Sequence, residues 1–142
     1  MSELYSRAIK LLARREHTRA ELARKLAAHG APDEIETVLN QLAAAGLQSD
    51  ARYAESFVRA QAGRLGQARL RQTLRSKGLD EALIETQLRA LPEELERARA
   101  VWAKKFPAPP SDAKEWGRQA RFLQGRGFSA EIIRKLLKEI DV

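Results

Sequence analysis

The sequence predicts an all-α protein: three tandem three-helix, helix-turn-helix-like repeats in an elongated, curved array. Three observations lead there. A block consisting of a basic, leucine-bearing helix, a glycine and a second amphipathic helix occurs three times, over Leu22 to Leu39, Leu70 to Leu88 and Arg118 to Leu137. The glycines of these blocks, Gly30, Gly78 and Gly127, are spaced by 48 and 49 residues, the kind of fixed period that marks a repeat architecture. Finally, no segment alternates strictly between apolar and polar residues, whereas apolar residues recur at helical spacing throughout.

Each repeat starts with a further helix, over Leu4 to Arg15, Ala51 to Gln61 and Leu95 to Phe106, so the expected units are residues 1–48, 49–92 and 93–142. In the first helices the apolar stripes are Ala8, Leu11 and Leu12; Tyr53, Ala54, Phe57 and Val58; and Ala98, Val101 and Trp102. In the second helices Leu26, Leu74 and Leu123 each stand one turn before the repeat glycine. Ile132, Ile133, Leu136, Leu137 and Ile140 form the last stripe. Thr18 with Glu21 reads as a capping box, a pair that satisfies main-chain donors left open by a helix's first turn. Asp50, Asp80 and Ser129 stand where N-caps are expected, and the repeat glycines suit the left-handed position that stops a helix. Pro107 to Asp112 breaks the third repeat between its first two helices as a rigid surface connector. The aromatic residues Tyr53, Phe57, Trp102, Phe106, Trp116, Phe122 and Phe128 are dispersed at helical spacing and are expected in the core, not in a base-stacking platform.

Composition narrows the function. The chain has 142 residues, enough to bury an apolar core, and no cysteine, which rules out disulfides, thiolate metal sites and sulfur redox chemistry. Its N-terminus lacks the pattern of a signal peptide and no apolar run approaches membrane-spanning length, so a cytoplasmic location and no membrane partner are expected. With 26 Lys and Arg against 19 Asp and Glu the net charge is +7, which points to a polyanion or an acidic protein as partner. The excess is uneven. Ser56 to Leu79 contains no acidic residue but carries Arg59, Arg64, Arg69, Arg71, Arg75 and Lys77; Trp116 to Ala130 is likewise acid-free, with Arg118, Arg121 and Arg126. Arg71 and Arg75, one helical turn apart beside the Leu70 and Leu74 stripe, can form a ladder that faces outward. An arginine fork pairs with carboxylate or phosphate, so these nine residues are the expected contacts to partner protein or DNA phosphate.

Catalysis is not expected. The two histidines, His17 and His29, form no constellation, and there is no P-loop, dinucleotide fingerprint, HExxH or supported carboxylate pair. Both histidines read as structural, and no cofactor or metal is expected.

The stretch Gly46 Leu47 Gln48 Ser49 Asp50 Ala51 Arg52 Tyr53 Ala54 Glu55 Ser56 Phe57 Val58 Arg59 resembles the RecX family of recombinase regulators. The resemblance continues through Gly66 to Gly78, through Ala8 to Leu26, and at Arg121 Phe122 Leu123 with Arg126 Gly127 Phe128, covering nearly the whole chain. Two departures are visible: Ser49 Asp50 replaces an acidic pair, and Arg64 Leu65 Gly66 replaces a Gly-Tyr-Gly-like turn. The resemblance implies a protein of DNA repair, homologous recombination and the SOS response. It would lodge in the groove of a RecA filament on DNA, touch neighbouring protomers and restrain recombinase and ATPase activity. A row of three units, each about 20 Å across, could span on the order of 60 Å and so bridge subunits. A monomer with weak direct DNA binding is expected. The alternative is a DNA-binding protein that uses its repeats as helix-turn-helix-like readers without RecA.

Overall fold

The computed structural model describes residues 2–140, and among them it contains nine α-helices and no strand. The helices are α1 (Glu3–Arg14), α2 (Arg19–Leu26), α3 (Pro32–Ala44), α4 (Asp50–Gln61), α5 (Gln67–Ser76), α6 (Glu81–Arg89), α7 (Glu94–Lys105), α8 (Ala113–Gly125) and α9 (Ala130–Ile140). They follow one another as three triplets, the all-helical three-helix organisation that the repeat predicts. Among the described residues no helix is long and apolar enough to cross a membrane. The chain divides into two compact units, Met1–Ser56 with Leu74–Ile84, and Phe57–Thr73 with Glu85–Val142.

In the first unit Leu4 and Ala8 of α1, Leu22 and Leu26 of α2, and Ile35, Val38, Leu39 and Leu42 of α3 form one buried cluster. Fully burying a leucine side chain contributes about 1.5–3 kcal/mol, so this cluster drives the packing of the triplet. The helix starts are covered individually. Ser2 Oγ accepts from Tyr5 N at 3.0 Å. Thr18 and Glu21 form the expected capping box, with bonds of 3.0 and 3.1 Å. Glu34 accepts from Ala31 N at 3.0 Å, while Pro32 occupies the first helical position of α3, where its missing N–H costs nothing.

Asp80 and Ser129 cap as expected, accepting from Ala82 N at 3.3 Å and Ile132 N at 3.2 Å. Asp50 does not. Ser49 caps α4 by accepting from Arg52 N at 3.1 Å, and the Asp50 carboxylate turns to α2, where it accepts from Arg19 N at 2.8 Å. The physical reason is that Thr18 covers only the Glu21 N–H, leaving the Arg19 donor open for a carboxylate at the positive end of the helix. A second correction concerns the repeat glycines. Gly78 and Gly127 are left-handed, with φ of 81° and 93°, but Gly30 is not, and Gly46 after α3 is. Gly30 instead faces its own repeat, where a Cβ would lie 3.0 Å from Leu4 Cδ2.

The left-handed pair has a packing role besides turning the chain. In the first unit Thr18 Oγ1 donates to Lys77 O at 2.7 Å, and a Cβ on Gly78 would sit 2.4 Å from Ala20 Cβ. The second unit has the same device. Gly66 N donates to Arg126 O at 2.6 Å, and a Cβ on Gly127 would sit 2.2 Å from Arg69 Cβ. In both, the turn after a second helix seats against the start of the second helix one repeat earlier.

The rest of the second unit is organised by Ala98, Val101, Leu123, Phe128, Ile133, Leu136 and Leu137, which form a buried cluster across α7, α8 and α9. Phe106 and Phe128 are buried as expected, whereas Trp116 is 39% exposed. The connector 107–112 is pinned by Gln119, which donates to Ala108 O at 3.1 Å and accepts from Trp102 Nε1 at 2.7 Å.

Candidate partner-binding surface

The nine cations expected from sequence sort into groups once the side chains are placed. Four are engaged by carboxylates of the chain itself. Arg71 pairs with Glu85, and Arg75 pairs with Glu81, its Nη2 donating to Oε2 at 3.1 Å. Lys77 lies 3.5 Å from Glu21, and Arg118 donates to Glu115 at 2.7 and 2.9 Å. The ladder on α5 therefore carries its own counter-charges on α6. Since the Arg75 and Glu81 side chains are both 54% exposed, that pair adds little stability. Arg118 holds the Glu115 carboxyl down to about 2, with a further hydrogen bond from Gln119. Arg59 and Arg121 are exposed on α4 and α8.

The remaining three, Arg64, Arg69 and Arg126, are brought together in the second unit. Arg69 Nη1 donates to Gly125 O at 3.2 Å, one residue before Arg126, and Arg64 donates to Gln61 Oε1 at 3.2 Å. Arg64 and Arg126 then line a cleft of about 260 Å³ with Gly63, Val101, Lys104, Lys105 and Phe122. No carboxylate lines it. Phe122 organises the cations. Lys105 Nζ lies 5.4 Å and the Arg126 guanidinium 5.0 Å from its ring centroid, distances at which a cation is attracted by the ring's quadrupole. The ring itself is held edge-on against Phe106, centroids 5.3 Å apart at 88°, and Arg118 stacks over Phe106 at 5.1 Å.

The turn that carries Arg64 is fixed by Arg97 of α7, only 6% exposed. Its guanidinium donates to Ala62 O at 3.1 Å, Leu65 O at 2.7 Å and Gln67 Oε1 at 3.3 Å. Burial lowers the Arg97 pKa, opposed by the nearby Glu94, but an arginine so placed keeps its charge. Glu94 also accepts from Gln67 N at 2.6 Å, so α7 clamps both sides of the turn before α5.

Sequence reasoning missed Lys104, Lys105, Phe122 and Arg97 as site residues. The Lys104 Lys105 doublet was a usable signal, masked because Glu94 and Glu96 open the same helix and give it mixed charge. His17 is structural, as expected. Its Nδ1–H donates to Arg15 O at 3.0 Å, which leaves Nε2 to accept from Lys25 Nζ at 3.2 Å. Among the described residues no three His, Asp or Glu come together as a metal site.

Comparison with known proteins agrees with this architecture. Residues 5–42, 49–88 and 92–137 match the first, second and third three-helix domains of RecX, respectively. The regulatory protein RecX of Leptothrix cholodnii is 53% identical over 140 residues, covering 97% of this chain and 89% of its own. That of Pseudomonas entomophila is 48% identical over 140 residues, covering 95% and 90%. The crystal structure of RecX from Lactobacillus salivarius superposes with a TM-score of 0.83 at 26% identity, over 98% of this chain and 95% of that one. With three matching domains and relatives this similar over almost their full length, the chain belongs to the RecX family of regulatory proteins.

Proposed function

We propose that this protein regulates RecA recombinase by binding the RecA–DNA filament and restraining its ATPase and strand-exchange activity. Membership of the RecX family supports RecA as the partner. The observation that carries the reading is the uneven pairing of its cations: some are neutralised within the chain, while Arg64, Arg126 and the lysines beside them face a cleft without a carboxylate. Such a surface is suited to an anionic partner, and the repeats 1–48, 49–92 and 93–142 would each add weak contacts that combine through effective concentration.

The helix-turn-helix reading without RecA fares less well on the same side chains. A reader places its last helix in the major groove; α9, with Arg134, Lys135 and Lys138, is the basic one of the three, whereas α3 starts with Asp33, Glu34 and Glu36, and α6 carries Glu81 and Glu85. Carboxylates there oppose phosphate.

The test is single-stranded-DNA-dependent ATP hydrolysis by the cognate RecA, titrated with this protein beside a DNA-only binding control. Suppression at concentrations where the control shows little DNA binding is the expected result. Unaltered hydrolysis together with tight duplex binding would overturn the proposal in favour of the DNA reader. Substoichiometric suppression would identify capping of filament ends, and a one-to-one requirement would identify coating of the groove.

A further inference from the structure

We propose that the cleft between Arg64, Lys104, Lys105 and Arg126 is a phosphodiester-binding subsite that holds the backbone of single-stranded DNA. The inference deepens the reading above by naming which contact goes to nucleic acid.

Charge balance is the first argument. Lys104 and Lys105 end α7, Arg126 is the C-cap of α8, and Arg64 follows the end of α4, so three helix C-termini face these cations. Each terminus carries about half a negative charge, roughly −1.5 in all, against four full positive charges. Helix dipoles therefore account for less than half of the cluster. The surplus of about +2.5 corresponds to two successive phosphodiesters. On α5 and α8 the fold answers Arg71, Arg75 and Arg118 with Glu85, Glu81 and Glu115, whereas among the described residues no ion pair engages any of the four cleft cations.

Shape and chemistry choose the ligand. A concave site of about 260 Å³ has room for one strand's phosphodiester and the sugar beside it. Its floor is Val101 and Phe122, apolar surface against which a deoxyribose packs, and it offers no neutral side-chain donor that would read a base edge. Gly63 at the rim has open space where a side chain would stand, so a backbone can pass close to it. Phe122 already holds Lys105 and Arg126 near its ring and so acts as their anchor; binding is expected to be independent of sequence. An acidic protein segment would meet the same charge, and poly-glutamate is the probe that separates it from a nucleic-acid backbone.

The experiment measures binding of a fluorescein-labelled oligo-dT to the intact protein by anisotropy, from 25 to about 200 mM salt. The variants are Lys104→Gln with Lys105→Gln, and Arg64→Gln with Arg126→Gln. Lys10→Gln with Arg14→Gln on α1 removes the same charge elsewhere, and circular dichroism verifies each fold. Either cleft pair is expected to weaken binding about tenfold or more at low salt. It should also reduce the salt slope by about 1.4, which is two phosphates at about 0.7 each on a single strand. The α1 pair should change affinity less than threefold.

Equal loss in the α1 pair would reduce the effect to net charge and overturn the proposal. So would unchanged oligo-dT binding, including the case in which poly-glutamate binding alone is lost and the cleft belongs to an acidic protein. The RecA reading stands or falls separately, by the ATPase titration: loss of oligo-dT binding by the cleft variants supports the subsite whether or not the wild-type protein suppresses hydrolysis.

Discussion

Replacing Gly66 by alanine places one methyl group where Gly127 C, Gly127 O and Phe128 N lie 2.4, 2.5 and 2.5 Å away. These are main-chain atoms and cannot rotate aside. Ordinary contact begins near 3.4 Å, so the two turns must part by about 3.4 − 2.4 = 1.0 Å. The same displacement stretches the bond from Gly66 N to Arg126 O, now 2.6 Å, to about 3.6 Å, beyond hydrogen-bond range. Losing it strands a buried donor at about 1–3 kcal/mol, and overpacking adds about 1–3 kcal/mol. Alanine's narrower unfolded ensemble returns less than about 1 kcal/mol. The expected net loss is about 1–5 kcal/mol, which for a urea m-value of about 2 kcal/mol per molar lowers the midpoint by about 0.5–2.5 M. Urea unfolding followed by circular dichroism is the assay. Gly63→Ala, with open space around it, is the control and should move the midpoint by less than about 0.3 M. If Gly66→Ala unfolds at the wild-type midpoint, the turns do not meet as described.

Two further predictions concern buried charge. Arg97→Met keeps the aliphatic stem but leaves the Ala62 and Leu65 carbonyls without their donor, and should cost about 2–4 kcal/mol in the same assay; a loss under about 0.5 kcal/mol would show that the guanidinium does not hold the turn. Burial lowers the His17 pKa below 6.5, aided by the charges of Arg15 and Lys25 against the Arg15 carbonyl, so the unfolded chain binds the proton more readily. Its stabilising contribution is therefore complete above pH 6.5 and is lost as the pH falls toward the lowered value. Glu21 changes with the same sign at lower pH. Burial raises it, but the Thr18 N–H, Arg15 and Lys77 together hold it below 4.5. The urea midpoint should fall from pH 7 to pH 5, and His17→Gln should flatten that slope; an unchanged slope in the variant would assign the acid sensitivity to other groups.

Much of the fold could be read because it depends on short-range rules. The Leu26, Leu74 and Leu123 register, the Thr18 to Glu21 box and the Asp80 and Ser129 caps all involve residues within a turn or two of one another. What escaped depends on distance along the chain. Asp50 looks like a local cap, yet its acceptor serves Arg19, 31 residues earlier. Equal spacing made Gly30 equivalent to Gly78 and Gly127, although only the latter two press against an earlier repeat. The arginine ladder could be placed on an outward face, but its neutralisation by Glu81 and Glu85 required knowing how α6 returns alongside α5. Phe122 was legible as apolar and not as an anchor for cations: Arg126 stands one turn later at the end of the same helix, but Lys105 reaches the ring from α7.

The two turn contacts divide labour within single residues. Lys77 and Arg126 serve the fold through their carbonyl oxygens, and those atoms are the same in every amino acid. The main-chain contact itself therefore places no demand on the side chain at either position, which leaves Lys77 to meet Glu21 and Arg126 to lie over Phe122. Substitution at these two turns can then change surface charge while the main-chain contacts are kept, so that a lineage could alter how strongly it grips a partner on the same skeleton.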